Sequence, residues 1–347
     1  MDPVEALKRI ARLLERSQAP TYRVAAFRRA AETISALEPG ELERIAPNKG
    51  LRSLKGIGEA TEAVIVEALA GKVPEYLARL EAEPQPFAVA GDALRRALRG
   101  DCHTHSLWSD GGSPIIEMAY AARSLGHEYI VMTDHSPRLT VANGLSVERL
   151  MEQLDELRAV NEQLSKEASQ GAPEFRVLSG IECDINEDGT LDQEPEILES
   201  LDIVVASVHS KLRSDRKTMT ERMLRAIADP NMDILGHCTG RIVVGPRGRP
   251  PSEFEHEAVF AACRESNVAV EINSRPERKD PPRDLLKLAV EIGCQFSVDT
   301  DAHAPGQLEW QYIGCDRAAE CGVTGDRVIN TGSAGALLSW SASRRQA

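Results

Sequence analysis

The residues best suited to chemistry begin at Asp101-Cys102-His103-Thr104-His105 and run on through Ser109-Asp110-Gly111. Two histidines two apart on an extended segment project from one face of a strand, because side chains alternate with a period of two. Imidazoles placed so can close on one metal ion, and Asp101 and Asp110 offer hard oxygen ligands within reach. The same kind of event recurs downstream. Short Ile- and Val-rich runs end in Asp134-His135, Ile181-Glu182, Val208-His209, Gly236-His237 and Asp299-Thr300-Asp301-Ala302-His303. Six of the eight histidines fall at these places. Histidines that merely filled a core would have no reason to sort themselves by strand end.

The strand-end set comprises His103, His105, Asp110, His135, Glu182, His209, His237, Asp301 and His303. That is too many ligands for one tetrahedral ion. It suits three divalent ions of Zn, Mn or Fe that share a carboxylate bridge, and Glu182, central in chain order, is the natural bridge. Such a cluster acidifies a bound water, clamps phosphoryl oxygens and stabilises a leaving oxygen; hydrolysis of a phosphate ester uses all three. Lys211, Arg241 and Arg275 follow strand ends and are candidate phosphate contacts, with Arg213 a weaker one. Asn273 ends the one strand without a ligand and is a further substrate candidate. Asp134 carries two readings, orienting His135 or capping a loop. Trp108 either stacks on a base or sugar or fills the mouth of the fold. Cys102, Cys183 and Cys238 adjoin expected ligands, but alternation turns them to the opposite face, as small buried hydrophobes. His127 and His256 lie outside the motifs and are assigned no function.

These side chains need strands to carry them. Strands are expected near 128–133, 175–181, 202–208, 233–236, 268–273 and 295–299, besides the one bearing His103. Helices are expected at 113–125, 146–168, 218–228, 254–266 and 283–293. Continuous apolar strands alternating with helices argue a parallel sheet covered on both faces. Seven of them favour a closed barrel, whose strand C-termini converge on one face. The first 82 residues read instead as helices over 3–17, 21–36, 41–46, up to about 70, and 74–81. Between two of these lies Leu54-Lys55-Gly56-Ile57-Gly58. Glycines there permit positive φ and bring backbone N–H groups to an anion at the start of the following helix. Arg52, Lys55, Gly56 and Gly58 are the expected DNA-binding residues, with Lys49 and Lys72 as added cations. Pro84, Pro86 and Gly91 mark 83–99 as a linker, leaving a barrel domain over 100–340.

The net charge of −13 excludes a global basic field for nucleic acid. Residues 1–90 hold 13 basic and 13 acidic side chains, so residues 91–347 carry the whole excess. An acidic enzyme can still act on phosphates where bound cations neutralise its carboxylates. Seven cysteines without a C-x-x-C pair, no signal peptide, and no apolar run of about 18–20 residues lead to the expectation of a reduced, cytoplasmic protein without a membrane partner. The oligomeric state leaves no mark on the sequence.

Tyr22-Arg23-Val24-Ala25-Ala26-Phe27-Arg28-Arg29-Ala30-Ala31 together with Gly56-Ile57-Gly58 resembles the N-terminal helix-hairpin-helix domain of family X DNA polymerases, over about residues 1–82. In that family the helix after the hairpin often carries a lysine used on abasic-site sugars. Residues 59–70 hold none and place Glu59, Glu62 and Glu67 there, which speaks against a lyase. About residues 100–335 resemble the PHP (polymerase and histidinol phosphatase) family, nearest to the PHP domain of bacterial family X polymerases. Ser207-Val208-His209-Ser210, Gly236-His237-Cys238-Thr239-Gly240-Arg241 and Asp110, where other branches use His, carry that likeness.

The resemblance implies an α/β fold, a distorted TIM-like (β/α)7 barrel, with a trinuclear metal site. His103, His105, Glu182 and Asp301 would hold one ion; Glu182, His209 and His237 the second; Asp110, His135 and His303 the third. Catalysis would run through a metal-bound hydroxide held by His103, His105, Glu182, His209 and Asp301. The nucleotidyltransferase core that separates the two modules in those polymerases has no counterpart here, so polymerisation is not expected. The expected function is a metal-dependent phosphoesterase of DNA repair, a 3′-5′ exonuclease or 3′-phosphatase, on gapped, nicked or 3′-ended DNA held by residues 1–82. Two alternatives stand beside it: a phosphatase for a small molecule such as histidinol phosphate or a nucleotide, and a non-catalytic DNA-binding scaffold with structural metals.

Overall fold

The structure is a computed structural model and describes all residues except 49, 85–87, 245–247 and 346–347. The chain divides into two compact units, Met1–Pro86 and Phe87–Ala347.

In the first unit the helices are α1 (Pro3–Arg16), α2 (Thr21–Ser35), α3 (Glu41–Ile45), α4 (Glu59–Leu69) and α5 (Glu75–Glu81). Asp2 caps α1 by accepting the Glu5 N–H at 2.9 Å, and Pro3 fits the first turn, where its missing N–H costs nothing. Ala6, Leu7, Ile10 and Leu14 recur at three- and four-residue spacing and bury against Val24, Phe27 and Ile34 of α2 and Val64, Ile65 and Ala68 of α4. The hairpin before α4 is held by the Ile57 N–H donating to Leu54 O and by Thr33 Oγ1 donating to Lys55 O. Thr61 Oγ1 accepts the Gly58 N–H at 2.9 Å and caps α4.

The second unit opens with α6 (Asp92–Ala97), inside the stretch expected to be a linker. Leu94 and Leu98, one helical turn apart, are buried in the barrel's outer core and fasten this segment to it. Pro86 lies outside the described residues. There follow β1 (Gly100–Thr104), α7 (Ile115–Ser124), β2 (Tyr129–Met132), α8 (Val147–Ser169), β3 (Arg176–Asp184), α9 (Pro195–Glu199), β4 (Ile203–Ser207), α10 (Arg216–Ile227), β5 (Ile234–Leu235), α11 (His256–Glu265), β6 (Ala269–Asn273), α12 (Arg283–Ile292), β7 (Phe296–Asp299), α13 (Gln311–Glu320) and α14 (Ala334–Arg345).

Seven parallel strands pair in sequence order, β1 to β7. Nearly every strand residue is buried, as covering both faces of a parallel sheet requires. Among the described residues, the barrel closes between β1 and the segment just past β7 through one parallel bridge, Thr104 with Ala302. Elsewhere on this seam carboxylates replace the backbone ladder. Asp299 Oδ1 accepts the Cys102 N–H at 2.7 Å, and Asp101 accepts from the backbone N–H and Oγ1 of Thr300. Asp101, expected as a nearby metal ligand, is therefore a seam residue. Burial pushes its carboxyl up to about 6 against the opposing bonds from Thr300 and His103.

Candidate metal centre

The strand ends bring all nine expected ligands to one place, around Glu182. Its Oε1 lies 3.3 Å from His209 Nε2 and 3.0 Å from His237 Nε2. Its Oε2 lies 3.3 Å from His103 Nε2, 3.6 Å from His105 Nε2 and 2.9 Å from His135 Nδ1. Asp301 Oδ1 is 3.5 Å from His105 Nε2 and from His303 Nδ1. Asp110 Oδ1 stands 3.2 Å from His303 Nε2 and 3.6 Å from His135 Nε2. Ligands bound at about 2.0–2.1 Å around a tetrahedral ion lie about 3.3 Å apart, the spacing these pairs show. Ligand atoms of three groups lie within 4.8 Å of one another: His105, Asp110, His135 and His303; His103, His105 and Glu182; His135, Glu182 and His209. His105 thus also reaches the third group of the implied division, and His135 joins Glu182 and His209.

A divalent cation fits the donor set. Buried His103 Nε2, both ring nitrogens of His105 and of His209, His237 Nδ1 and Glu182 Oε2 have no hydrogen-bond partner among the described residues. Each such orphan costs about 1–3 kcal/mol, so their concentration in one spot calls for an ion rather than chance.

Two carboxylates absent from the expectations hydrogen-bond to the candidate ligands and orient them. Glu271 Oε1 accepts from His103 Nδ1 at 2.6 Å, and its Oε2 accepts the His237 backbone N–H at 2.5 Å. Asp184 Oδ1 accepts the His209 N–H at 3.1 Å. Glu271 turns the free Nε2 of His103 toward Glu182 and so selects its tautomer. Both had a signal. Glu271 interrupts the apolar run Ala269-Val270-Glu271-Ile272, and Asp184 follows Glu182 by two residues, on the same face. Two of the expected ligands, His237 (φ 21°) and Asp301 (φ 54°), hold left-handed backbone, which β-strand tips adopt only where surroundings enforce it.

Burial alone would strip charge from Glu182 and Asp301. Instead His103, His135 and His209 hold the Glu182 carboxyl well below its usual range, and Arg275 and His105 do the same for Asp301. In return, and against burial, Glu182 and Glu271 hold His103 well above the imidazole norm, and Glu182 and Asp184 lift His209 to about 9. His105 is pushed down by burial, then by His303 and His135.

A cavity of about 380 Å³ stands over the cluster. Arg275 lines it, donating from Nη1 to Asp301 O at 2.9 Å and lying 3.3 Å from Asp301 Oδ1. So does Arg278, which was not expected: Nε pairs with Asp301 Oδ2 at 3.2 Å, and its buried Nη1 has no hydrogen-bond partner among the described residues. Arg241 is not a wall of this cavity. Its guanidinium donates to Arg278 O and Lys279 O, bracing the loop that carries the arginines, because the backbone carbonyls there face it. Asn273 is buried and donates to Glu271 and Asp301, so it positions carboxylates and does not reach the cavity. Lys211 is exposed with φ 52° and lies outside the lining, as does Arg213. Asp134 accepts from Ser106, Ser109 and Gln153 and fastens the loop after β1. Trp108 packs its ring on the core and donates to Glu156, filling space. Cys102, Cys183 and Cys238 are buried.

On the hairpin of the first unit, Arg52 is paired with Glu62 at 2.6 Å, Lys55 and Lys72 are exposed, and Lys49 lies outside the described residues. Gly56 has φ 94°, which demands glycine. Gly58 has φ −110°, and a Cβ there would meet nothing within 4 Å. A groove of about 200 Å³ between α4 and α5 is lined by Ala60, Ala63, Val64, Tyr76 and Arg79, with Glu67 and Glu75, and holds no lysine.

Residues 101–275, half of the chain, match the family model described as the PHP domain. The chain belongs to the PHP family. Ahead of its PHP domain, residues 1–73 match a helix-hairpin-helix domain. The chain is 36% identical over 236 residues to the DNA polymerase/3′-5′ exonuclease PolX of Bacillus subtilis (strain 168), covering 68% of this chain and 40% of that protein. It thus spans well under half of that relative. To a probable phosphatase of Thermoanaerobacter sp. (strain X514) it is 30% identical over 242 residues, covering 67% of this chain and 89% of that protein. A solved histidinol phosphate phosphatase from Lactococcus lactis, complexed with zinc, L-histidinol and phosphate, aligns at 19% identity and a TM-score of 0.47, over 65% of this chain and 94% of that one. No helix among the described residues is long and apolar enough to cross a membrane.

Proposed function

We propose that this metal-dependent phosphoesterase hydrolyses phosphate esters at DNA ends, as a 3′-5′ exonuclease or 3′-phosphatase of repair. The observation that carries the reading is the orphaned donor set around Glu182 beneath a cavity walled by Arg275 and Arg278. His103, His105, Asp110, His135, Glu182, His209, His237, Asp301 and His303 would hold three divalent ions of Zn, Mn or Fe, with Glu182 shared. Such ions, when bound, supply an acidified water and positive charge for phosphoryl oxygens.

The chain's own residues do the rest. Arg275 and Arg278 present planar guanidinium forks to the phosphate, and Asp301 fixes their approach. Arg241 and Asn273 hold the loop and the carboxylates in register. The described lining contains no hydroxyl or thiol side chain.

DNA as the substrate rests on the hairpin. Neither backbone nor packing requires glycine at position 58, so its bareness leaves room for a phosphate to approach the N-terminus of α4 beside Lys55. The net zero charge of residues 1–90 suits weak, salt-sensitive contact with few phosphates. A small-molecule phosphatase is the second reading, favoured by the phosphatase relative that the chain covers over 89% of its length.

The test is a time course on 5′-labelled gapped DNA with Mn²⁺, comparing wild type, His209→Ala and Lys55→Glu. Stepwise shortening, lost in His209→Ala and slowed in Lys55→Glu, supports the reading. Intact DNA with phosphate released from small monoesters hands the case to the second reading, and no turnover of any ester leaves a scaffold.

A further inference from the structure

The cavity over the metal centre has two unlike sides. Its floor carries the ligands with Arg275 and Arg278, while its rim carries Leu139, Val141, Ala142 and Ile242. We infer that Val141 and Ile242 seat the sugar and base of the nucleotide whose phosphate rests on that floor. The inference rests on the DNA-end reading and adds the residues that recognise the organic part of the substrate.

Val141 is 93% exposed, at the tip of a short turn, Thr140–Ala142, between β2 and α8. An exposed valine alone means little. This one stands on a turn fixed from several sides. The Leu145 N–H donates to His135 O at 2.7 Å, tying the turn to a ligand residue. Arg149 Nη1 donates to Asn143 O at 2.7 Å and to Gly144 O at 3.1 Å, and Asn143 Nδ2 donates to Trp108 O. Ala142 and Leu145 anchor it in the interior. The fold thus holds an apolar side chain in water, in a set position, at the edge of a charged cavity.

Ile242, also on the rim, is held by a two-way backbone bridge with Arg249, 2.9 Å in each direction. The Val243 N–H donates to Glu277 O at 2.7 Å, which ties this segment to the loop bearing the arginines. Val243 and Val244, which follow Ile242 in the chain, are 48% and 50% exposed. Four of the large hydrophobics exposed on the second unit, Leu107, Val141, Val243 and Val244, thus lie on loops that follow β1, β2 and β5, and of these Val141 lines the cavity.

A ligand for this shape is anionic at one end and neutral with apolar faces at the other. A volume of about 380 Å³ is of the size that buries a whole small organic ligand, more than phosphate alone needs. Of the lining acids outside the expected ligand set, Glu277 has its charge balanced by Arg275 at 3.7 Å, although its Oε2 makes no hydrogen bond among the described residues. A nucleoside, flat and uncharged, matches both counts.

The experiment is calorimetric titration of the full chain, in Mn²⁺, with 2′-deoxyadenosine 5′-monophosphate, glycerol phosphate and an amino-alcohol phosphate. The nucleotide is expected to bind about tenfold tighter than glycerol phosphate, with Val141→Ser and Ile242→Ser each cutting that ratio roughly fivefold and Val141→Ile preserving it. Equal affinity for nucleotide and glycerol phosphate, a ratio unmoved by both serine variants, or tighter binding of the amino-alcohol phosphate overturns the inference. If DNA ends are still shortened in that event, only the rim assignment falls; if no DNA end is cut, the reading beneath it falls as well.

Discussion

Replacing Glu271 with Gln probes the metal centre without touching a ligand. Glu271 receives His103 Nδ1–H on one oxygen and the His237 backbone N–H on the other, at 2.6 and 2.5 Å. Glutamine keeps the size but offers one oxygen and one NH₂, so either orientation sets N–H against N–H on one side. A hydrogen bond to a charged group contributes about 1.5–3 kcal/mol, and a buried donor left facing another adds to the loss. Through the imidazole this should appear as a 10- to 100-fold loss of metal affinity, about 1.4–2.8 kcal/mol. Chelator competition with Mn²⁺ or Zn²⁺ on the full chain reads it. The ions touching His103 and His237 should weaken by that factor, while the ion beside Asp110 and His303 keeps its affinity within about twofold. Wild-type affinity at every ion would refute the reasoning.

Arg278→Ala should raise KM for a phosphate ester by about tenfold or more, since Arg278 lines the cavity and its buried Nη1 has no hydrogen-bond partner among the described residues; steady-state kinetics with unchanged KM would remove it from the phosphate site. Gly56→Ala should cost about 1 kcal/mol through its φ of 94°, and Gly58→Ala, whose Cβ meets nothing within 4 Å, should cost no more than about 1 kcal/mol as an N-cap change and still weaken DNA binding. Fluorescence anisotropy showing wild-type DNA affinity in Gly58→Ala would count against the hairpin grip. His127 is buried, and burial pushes its pKa down to about 3, so it stays neutral in the fold while the unfolded chain protonates below about 6.5. Stability from this group is therefore lost as pH falls from about 6.5 toward 3, about 2 kcal/mol by pH 5. His127→Leu should flatten that decline in urea unfolding at pH 7 and 5; parallel declines would contradict it.

The barrel's strands and the candidate ligands gathered at their tips were legible because buried parallel strands are continuous apolar runs, against which His, Asp and Glu stand out. The helices most periodic in sequence, α8 and α12 among them, lie where they were expected. Helices α13 and α14 were not foreseen: their residues mix Gly, Ser, Arg and Ala, and Gln311, Arg317 and Arg344 bury by bonding backbone carbonyls instead of forming an apolar stripe. β3 runs to Asp184, past the expected end, since polar Glu182 and Asp184 belong to the strand's inward face. Arginines were the least legible. Arg241 and Arg278 both sit in loops after strands, and only the fold shows that one braces the loop while the other faces the cavity.

The central claim is one multinuclear centre bridged by Glu182. Anomalous diffraction at the Mn, Fe and Zn absorption edges, from crystals of the full chain grown with its metals, tests it most directly. Three peaks within about 2.0–2.3 Å of the nine ligands, two of them sharing Glu182, are expected. A single ion, or peaks that never touch Glu182, would contradict the account.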